Sequence, residues 1–201
     1  MKETISVRIL GPSMHKQFGG FACHAYVIRN KEGHLLHEAC GLAESPINHL
    51  PLASSNVATY TALVRALEWL IDNGYKKDII IVKTSSKSLI SQLDEIYQSP
   101  QTSGSRKESY LPKSVIPLYL ETSRLISRFY KLSFELLNRQ GNADSGATAD
   151  NDDETKEIEE LLVLAYVEAE EKIMKQVRIV SEQKSPFLAA AQLMKYRDAQ
   201  T

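Results

Sequence analysis

Four acidic side chains in the C-terminal third of the chain could contribute oxygen ligands to a metal site. They are Asp150, Asp152, Asp153 and Glu154. Carboxylate oxygens are the ligands that Mg²⁺ prefers, so such a cluster can hold a cation where the backbone fixes its geometry. The surrounding residues 138–154 have almost nothing to bury, which predicts a flexible acidic insertion. A metal site here would therefore have to be completed from the folded body.

Basic side chains on neighbouring predicted elements could contact phosphate groups. They are Lys83, Lys87, Arg106, Lys107 and Lys113. The chain as a whole has a formal net charge of −1, which is not the strong basic excess of a dedicated nucleic-acid binder. Scattered surface lysines are ordinary in globular proteins, so composition alone does not distinguish a phosphate-binding patch from a solvated surface.

Histidine and cysteine do not occur at the spacing of a metal site. Cys23 and Cys40 fall inside strand-like segments, so we predict that both are small core residues. The five histidines show no ligand spacing, and we predict that each lies on the surface or is packed. These are His15, His24, His34, His37 and His49.

Length and composition predict one folded domain with appendages. The chain has 201 residues, of which 43% are hydrophobic, enough for one sizeable core but not for two large domains. No stretch approaches the roughly 18 apolar residues of a membrane span, and the start, Met-Lys-Glu-Thr-Ile-Ser-Val, lacks the apolar core of a secretory signal. We therefore expect a cytoplasmic protein without a membrane partner.

The hydrophobic pattern predicts three strands followed by alternating helices and strands. The predicted strands are Ile5–Leu10, Phe21–Arg29, His34–Leu42, Asp78–Val82 and Lys131–Leu137. The predicted helices cover residues 54–71, 85–96, 113–130 and 155–180, with Ser54 or Ser55 capping the first. A meander followed by strand, helix, strand and helix indicates an α/β fold with a mixed sheet.

We predict a domain boundary near residue 180. The domain covers residues 1–180, including the insertion at 138–154, and residues 181–201 form a C-terminal helical tail. Pro186 can open a short helix through Tyr196, because proline is tolerated in a first helical turn. The tail is apolar enough to dock either on the body of the protein or on a partner.

The segment Asn56-Val57-Ala58-Thr59-Tyr60 resembles the Asn-Val-Ala-Glu-Tyr motif of the ribonuclease H type 1 family. Shorter pieces match in the same order, among them Gly19-Gly20, Gly41-Leu42-Ala43 and the run at residues 81–90. From about Ile5 to Ala169 the chain is most similar to the compact archaeal and bacterial forms. The resemblance implies an α/β fold whose mixed five-stranded sheet has three antiparallel strands, then parallel strands, flanked by helices.

The resemblance also locates the family's four metal-binding carboxylates. In the family they hold two Mg²⁺ ions, with which the enzyme hydrolyses the RNA strand of an RNA–DNA hybrid. The matching positions here are Leu10, Thr59, Ser85 and Glu159. A second register places the last position on Ala143-Asp144 instead. In either register the formal charge of the site falls from −4 to −1, so we predict no catalytic residues and no Mg²⁺ cofactor.

We therefore predict a catalytically inactive ribonuclease H-like protein that binds an RNA–DNA hybrid or RNA. By the same resemblance, Gly11 and Asn56 would contact the nucleic acid, together with Ser86 and Lys87. Asn56 has an alternative role as a helix cap or first-turn residue. The alternative function is a protein-interaction scaffold that binds a partner through residues 154–201. A second alternative is an active metal-dependent ribonuclease in which the acids at 150–154 rebuild a site beside Glu159.

Overall fold

The structure of the protein is a computed structural model that describes most of the folded core. The described residues are 2–16, 19–43, 54–98, 111–137, 156–169 and 171. The insertion predicted at 138–154 and the tail predicted at 181–201 lie outside these residues, as does the predicted boundary near residue 180. None of the helices in the described ranges combines the length and apolarity that crossing a membrane requires.

Six strands and four helices make up the described fold. The strands are β1 (Thr4–Leu10), β2 (Ser13–Lys16), β3 (Gly19–Arg29), β4 (Leu35–Ala43), β5 (Ile79–Thr84) and β6 (Lys131–Leu136). The helices are α1 (Ser55–Asp72), α2 (Lys87–Gln98), α3 (Ile116–Ile126) and α4 (residues 156–169), with a short 3-10 turn at Tyr75–Lys77. The predicted α/β class is confirmed.

The sheet is five strands wide, in the order β4, β3, β1, β5, β6. β1 pairs antiparallel with β3 and parallel with β5, and β6 continues the parallel half. The short strand β2 was not predicted, because Gly11-Pro12 is typical of a turn. It pairs with the same edge of β3 as β1 does, since Leu10 lies opposite Ala25 and Ser13 opposite Ala22. Gly11-Pro12 thus interrupts the pairing along β3 between β1 and β2 without reversing the chain.

α1 covers one face of the sheet and forms the larger core. Its buried residues recur at helical spacing and meet the side chains of Ile5, Val7 and Ile9 from β1. The helix begins at the predicted cap, because the hydroxyl of Ser54 accepts a hydrogen bond from the backbone N–H of Val57 at 3.3 Å. The core thereby fixes α1 across the central strand.

α4 covers part of the opposite face. Its buried side chains recur every three or four residues and pack against β1, β3 and β4 in a second apolar cluster. The cluster contains Leu10, Cys23, Ala25, Val27, Ile158, Leu162, Ala165 and Ala169. Cys23 is a core residue, as predicted, and Cys40 is half-buried against the same cluster. Burial raises the pKa of the Cys23 thiol to about 12, with a further contribution from Cys40.

The bounds of two predicted helices were wrong. The third helix is confined to Ile116–Ile126 and not 113–130, because turns precede it and follow it as far as Phe129. The second helix begins at Lys87 and not Ser85, because Ser86 serves as its cap. The third helix is therefore shorter than predicted, whereas α2 keeps twelve residues and is displaced by two, because the Ser86 hydroxyl satisfies a backbone N–H at its start.

Candidate functional site

A cleft of about 510 Å³ opens at the carboxyl ends of the adjacent parallel strands β1 and β5, where α1 and α2 begin. Crevices at the carboxyl ends of parallel strands are common ligand sites in α/β proteins. Its lining is Leu10, Gly11, Pro12, Ser55, Asn56, Thr59, Thr84, Ser85, Ser86, Lys87 and Ser88. Most of these side chains are hydroxyls or are small, and the single full charge among them is that of Lys87.

Seven of the eight predicted site residues line this one cleft. They are Leu10, Gly11, Asn56, Thr59, Ser85, Ser86 and Lys87. They come from three separate parts of the sequence, which the parallel pairing of β1 with β5 and the packing of α1 bring to one place. Sequence reasoning missed Pro12, Ser55, Thr84 and Ser88. The run of hydroxyl residues on both sides of Lys87 is the feature that could have indicated the last two.

Gly11 lies directly against the backbone of α1. A Cβ atom at this position would fall 2.1 Å from the backbone nitrogen of Thr59 and 2.5 Å from the carbonyl carbon of Ala58. Real Cβ atoms do not approach backbone so closely, so only glycine allows the end of β1 and the start of α1 to meet. Gly11 therefore has a packing role that the sequence did not reveal.

The side chains of Leu10 and Thr59 are both occupied. Leu10 is only 7% exposed and packs in the apolar cluster beneath α4. The Thr59 hydroxyl donates a hydrogen bond to the carbonyl of Ser55 at 2.8 Å, one turn earlier in the same helix. Neither side chain presents an anionic oxygen to the cleft.

The cap of α2, Ser86, lines the cleft, and the cap of α1, Ser54, directly precedes the lining residue Ser55. The Ser86 hydroxyl accepts the backbone N–H of Leu89 at 3.2 Å, and the Ser86 N–H donates to the Thr84 hydroxyl at 3.2 Å. α1 is capped by Ser54, so Asn56 is a half-buried residue of its first turn and not the cap. The Tyr60 hydroxyl donates to Gln92 Oε1 at 2.8 Å and ties the two helices together.

The model of the family described as reverse transcriptase-like matches residues 14–150, more than half of the chain. The chain belongs to this ribonuclease H-like family. This match confirms the predicted family. No curated protein sequence matches the chain.

Solved ribonucleases H share this fold. Ribonuclease H1 from the halophilic archaeon Halobacterium salinarum NRC-1 is 18% identical, with a TM-score of 0.55 over 82% of this chain and 98% of that one. LC11-RNase H1, isolated from compost by a metagenomic approach, is 22% identical, with a TM-score of 0.55 over 83% and 97%. Its complex with an RNA/DNA hybrid gives 23% identity and a TM-score of 0.50 over 70% and 90%.

In this ribonuclease H-like chain, Glu159 lies away from the cleft. α4 starts beside Arg29, whose guanidinium donates to both carboxylate oxygens of Glu157 at 2.5 Å. The helix reaches the cleft end of the sheet at Tyr166, whose hydroxyl donates to the carbonyl of Pro12 at 3.1 Å. At 1.5 Å per residue, Glu159 is about 10 Å from Tyr166 along the helix axis. It is exposed and does not line the cleft.

The other acidic residues considered for a metal site fall outside the described residues. These are the alternative register at Ala143-Asp144 and the acids at 150–154. Within the described part of the chain, no three His, Cys, Asp or Glu side chains are grouped so that they could hold a metal ion. The described lining of the ribonuclease H-like cleft contains no carboxylate either.

The electrostatic character of the cleft favours anions. The first turns of α1 and α2 both border it, and helix amino-terminal ends carry a partial positive charge and unpaired backbone N–H donors. Lys87 adds a full positive charge. Of the other predicted basic residues, Lys83 is half-buried and Lys113 is exposed, and neither lines the cleft. Arg106 and Lys107 lie outside the described residues.

His24 is packed beside the cleft-forming end of β1. The pairing of Leu10 with Ala25 and of Ser13 with Ala22 places His24 opposite Gly11. Its buried Nδ1 has no hydrogen-bond partner in the described part of the chain. Burial, aided by the positive charge of Arg65, lowers the pKa of the His24 imidazole from 6.5 to about 4. His24 is therefore packed, which is one of the two environments predicted for each histidine.

This pKa predicts a loss of stability in acid. Between pH 6.5 and about 4 the unfolded chain binds a proton at His24 and the folded chain does not, so the free energy of unfolding falls as the pH falls. The full contribution is about 3 kcal/mol, since one pKa unit corresponds to about 1.4 kcal/mol. Urea unfolding of the wild type and of His24→Gln at pH 7 and pH 4.5 measures it. We expect a smaller pH dependence in the variant, and equal pH dependences would contradict the prediction.

Proposed function

We propose that this protein binds nucleic acid in the cleft between α1 and α2 without hydrolysing it. The observation that carries the proposal is the cleft lining, in which hydroxyls, the Asn56 amide, two helix amino-terminal ends and Lys87 occur with no carboxylate among the described residues. Backbone N–H groups, serine hydroxyls and lysine are the usual donors to phosphate oxygens. The absence of acids in that lining also lessens the repulsion of a polyanion.

The solved relative LC11-RNase H1 supports the choice of ligand, because it has been crystallised in complex with an RNA/DNA hybrid. An RNA–DNA hybrid is therefore the first ligand to test, with RNA as the second. The Asn56 side chain is half-buried at the cleft wall, where it can contact a sugar edge in the minor groove. Phosphate contacts from Lys87 and the first turn of α2 would then fix the register of the bound strand.

The described donor set does not fit a pair of Mg²⁺ ions. Two ions about 4 Å apart need several carboxylates to balance their charge, whereas Leu10 has no donor atom and Thr59 and Ser85 offer only neutral hydroxyls. The Thr59 hydroxyl proton is already donated to Ser55. No metal-dependent step is assigned to this cleft.

Removing the charge of Lys87 tests the phosphate contact. We expect Lys87→Ala to weaken the binding of a fluorescein-labelled RNA–DNA hybrid about three- to tenfold and to lower the slope of log affinity against log salt by about 1. Lys31→Ala is the matched control, because Lys31 is also exposed but lies in the turn between β3 and β4, away from the cleft. Fluorescence anisotropy across a salt series measures both quantities.

The same assay can refute the proposal. If hybrid, duplex and single-stranded probes all fail to bind at low salt, the cleft is not a nucleic-acid site. If Lys87→Ala and Lys31→Ala weaken binding equally, binding occurs but the cleft does not provide it. The scaffold role predicted for residues 154–201 would then be the function to test, by removing residues 182–201 and comparing the partners that are retained.

A further inference from the structure

The outer face of α4 exposes a group of apolar side chains. Val163, Leu164 and Val167 are 61%, 58% and 52% exposed, and they lie opposite the buried side of the helix. Their spacing of one, three and four residues places them together over a single turn. Single exposed apolar residues are ordinary, but three within one turn on the outer face of a helix indicate a surface that another element covers.

Acidic residues surround this apolar group. Residues 156–171 contain six glutamates and one lysine, a net charge of −5. Glu160 and Glu171 lie on the same side of α4 as the apolar group, one turn before and one turn after it. Two copies of this face would bring like charges together, which disfavours pairing with a second molecule through the same face. The complementary partner is an amphipathic segment of positive charge.

The last 30 residues of the chain have that chemistry. Residues 172–201 contain six Lys and Arg against two Asp and Glu, a net charge of +4. The helix predicted over 186–196 carries Phe187, Leu188, Leu193 and Met194. The segment follows α4 directly in the chain, so its effective concentration at the α4 surface is high, of the order of millimolar. The residues between 171 and 186 are numerous enough to reverse the chain direction.

We propose that residues 186–196 dock in cis on the outer face of α4, which they cover as an antiparallel helix. Apolar side chains of the segment pack on Val163, Leu164 and Val167. The positive charge that faces the glutamates comes from Lys195 within the segment and from the basic residues that flank it at 172–184 and 197. This surface is on the far side of α4 from the sheet, so the proposal is independent of nucleic-acid binding in the cleft.

Amide hydrogen exchange of the full-length chain, followed by mass spectrometry, tests the docking. We expect amides of residues 186–196 to exchange at least about tenfold more slowly than in an unstructured peptide. The double substitution Leu164→Ser with Val167→Ser should remove most of this protection. Leu120→Ser is the matched control, because Leu120 is a 49% exposed leucine on α3. Circular dichroism confirms that each variant keeps its helices.

Three outcomes would overturn the proposal. Exchange of residues 186–196 at the unstructured rate in the wild type means that nothing is docked. Protection that survives the double substitution means that the segment docks elsewhere or is helical without α4. Protection that rises with protein concentration, with a dimer in sedimentation velocity, means that the covering segment comes from a second copy. Loss of protection in the double variant alone, with a monomer throughout, supports docking in cis.

Discussion

The Gly11→Ala protein is expected to lose about 3 kcal/mol or more of its free energy of unfolding. The added Cβ would meet the backbone nitrogen of Thr59 at 2.1 Å and the carbonyl carbon of Ala58 at 2.5 Å. Overpacking a core with one extra carbon typically costs 1–3 kcal/mol where side chains can move, as an order-of-magnitude guide. Here both colliding groups are backbone, so relief requires α1 to move off the sheet and the effect should lie at or above that range.

Urea unfolding monitored by circular dichroism measures this loss, and Gly41→Ala provides the control. Gly41 is also a sheet glycine, but its added Cβ would meet only the side chain of His24, at 3.3 Å, which can shift by a few tenths of an ångström. We expect a loss of about 1 kcal/mol or less for Gly41→Ala. Equal losses in the two variants would show that the contact between Gly11 and α1 is not as close as the structure indicates.

The close packing of Gly11 determines which variants can test the nucleic-acid contacts. A Gly11 variant that fails to bind a hybrid has lost its α1 packing, so the binding loss says nothing about contact with the ligand. Asn56→Ala is the sharper test, because Asn56 is half-buried on the cleft wall and its side chain makes neither the Ser54 cap nor the Tyr60–Gln92 hydrogen bond. A stable Asn56→Ala protein with weakened binding would assign the amide to the interface.

The second large effect concerns cleavage. With Mg²⁺ or Mn²⁺, we expect no detectable cleavage of a labelled RNA–DNA hybrid. The cleavage rate should be at least about 10⁴-fold below that of a ribonuclease H with four carboxylates. Three of the four matching positions lack a carboxylate, and loss of even supporting groups around a metal commonly lowers affinity or activity 10- to 100-fold each. Gel analysis of the labelled strand measures the rate, with an intact ribonuclease H as the positive control.

Glu159 provides the internal control for that assay. Because Glu159 is exposed, does not line the cleft and lies about 10 Å along α4 from Tyr166, Glu159→Gln should leave the absence of cleavage unchanged. Metal-dependent cleavage that Glu159→Gln abolishes would refute the inactive site and would favour a site rebuilt with the acids at 150–154. A rise in melting temperature with added Mg²⁺ would point the same way, since a ligand that binds the folded state stabilises it.

Seven of the predicted positions lie in one cleft because each is at the end of a strand or near the start of a helix, and short-range sequence patterns predict those ends. Leu10 and Gly11 end a strand, Asn56 and Thr59 start a helix, and Ser85 follows the parallel strand, so the fold class alone brings these positions to one edge of the sheet. What identified the fold was the order of the motifs, and no single motif would have sufficed. The chemistry at each position then followed from residue type.

The position of Glu159 could not be predicted in the same way. The 19 residues between Leu136 and residue 156 are polar and contain few apolar side chains, so nothing in their pattern fixes where α4 begins along the sheet. Contacts distant in sequence decide it, namely Arg29 with Glu157 and Tyr166 with Pro12. The close approach of Gly11 to α1 could not be predicted from the sequence either, because it depends on the distance at which α1 packs against β1.

The burial of Leu10 has a consequence for anyone who would engineer a nuclease from this scaffold. Ser85 borders the cleft and is only half-buried, so it could be exchanged for an acid locally, but the Leu10 side chain is part of the apolar layer that holds α4 to the sheet. A carboxylate there would lose its hydration and open a gap beneath the helix before any cation could compensate. Installing the first ligand would therefore require redesign of α4 as well, so the three acids cannot be introduced as independent point changes.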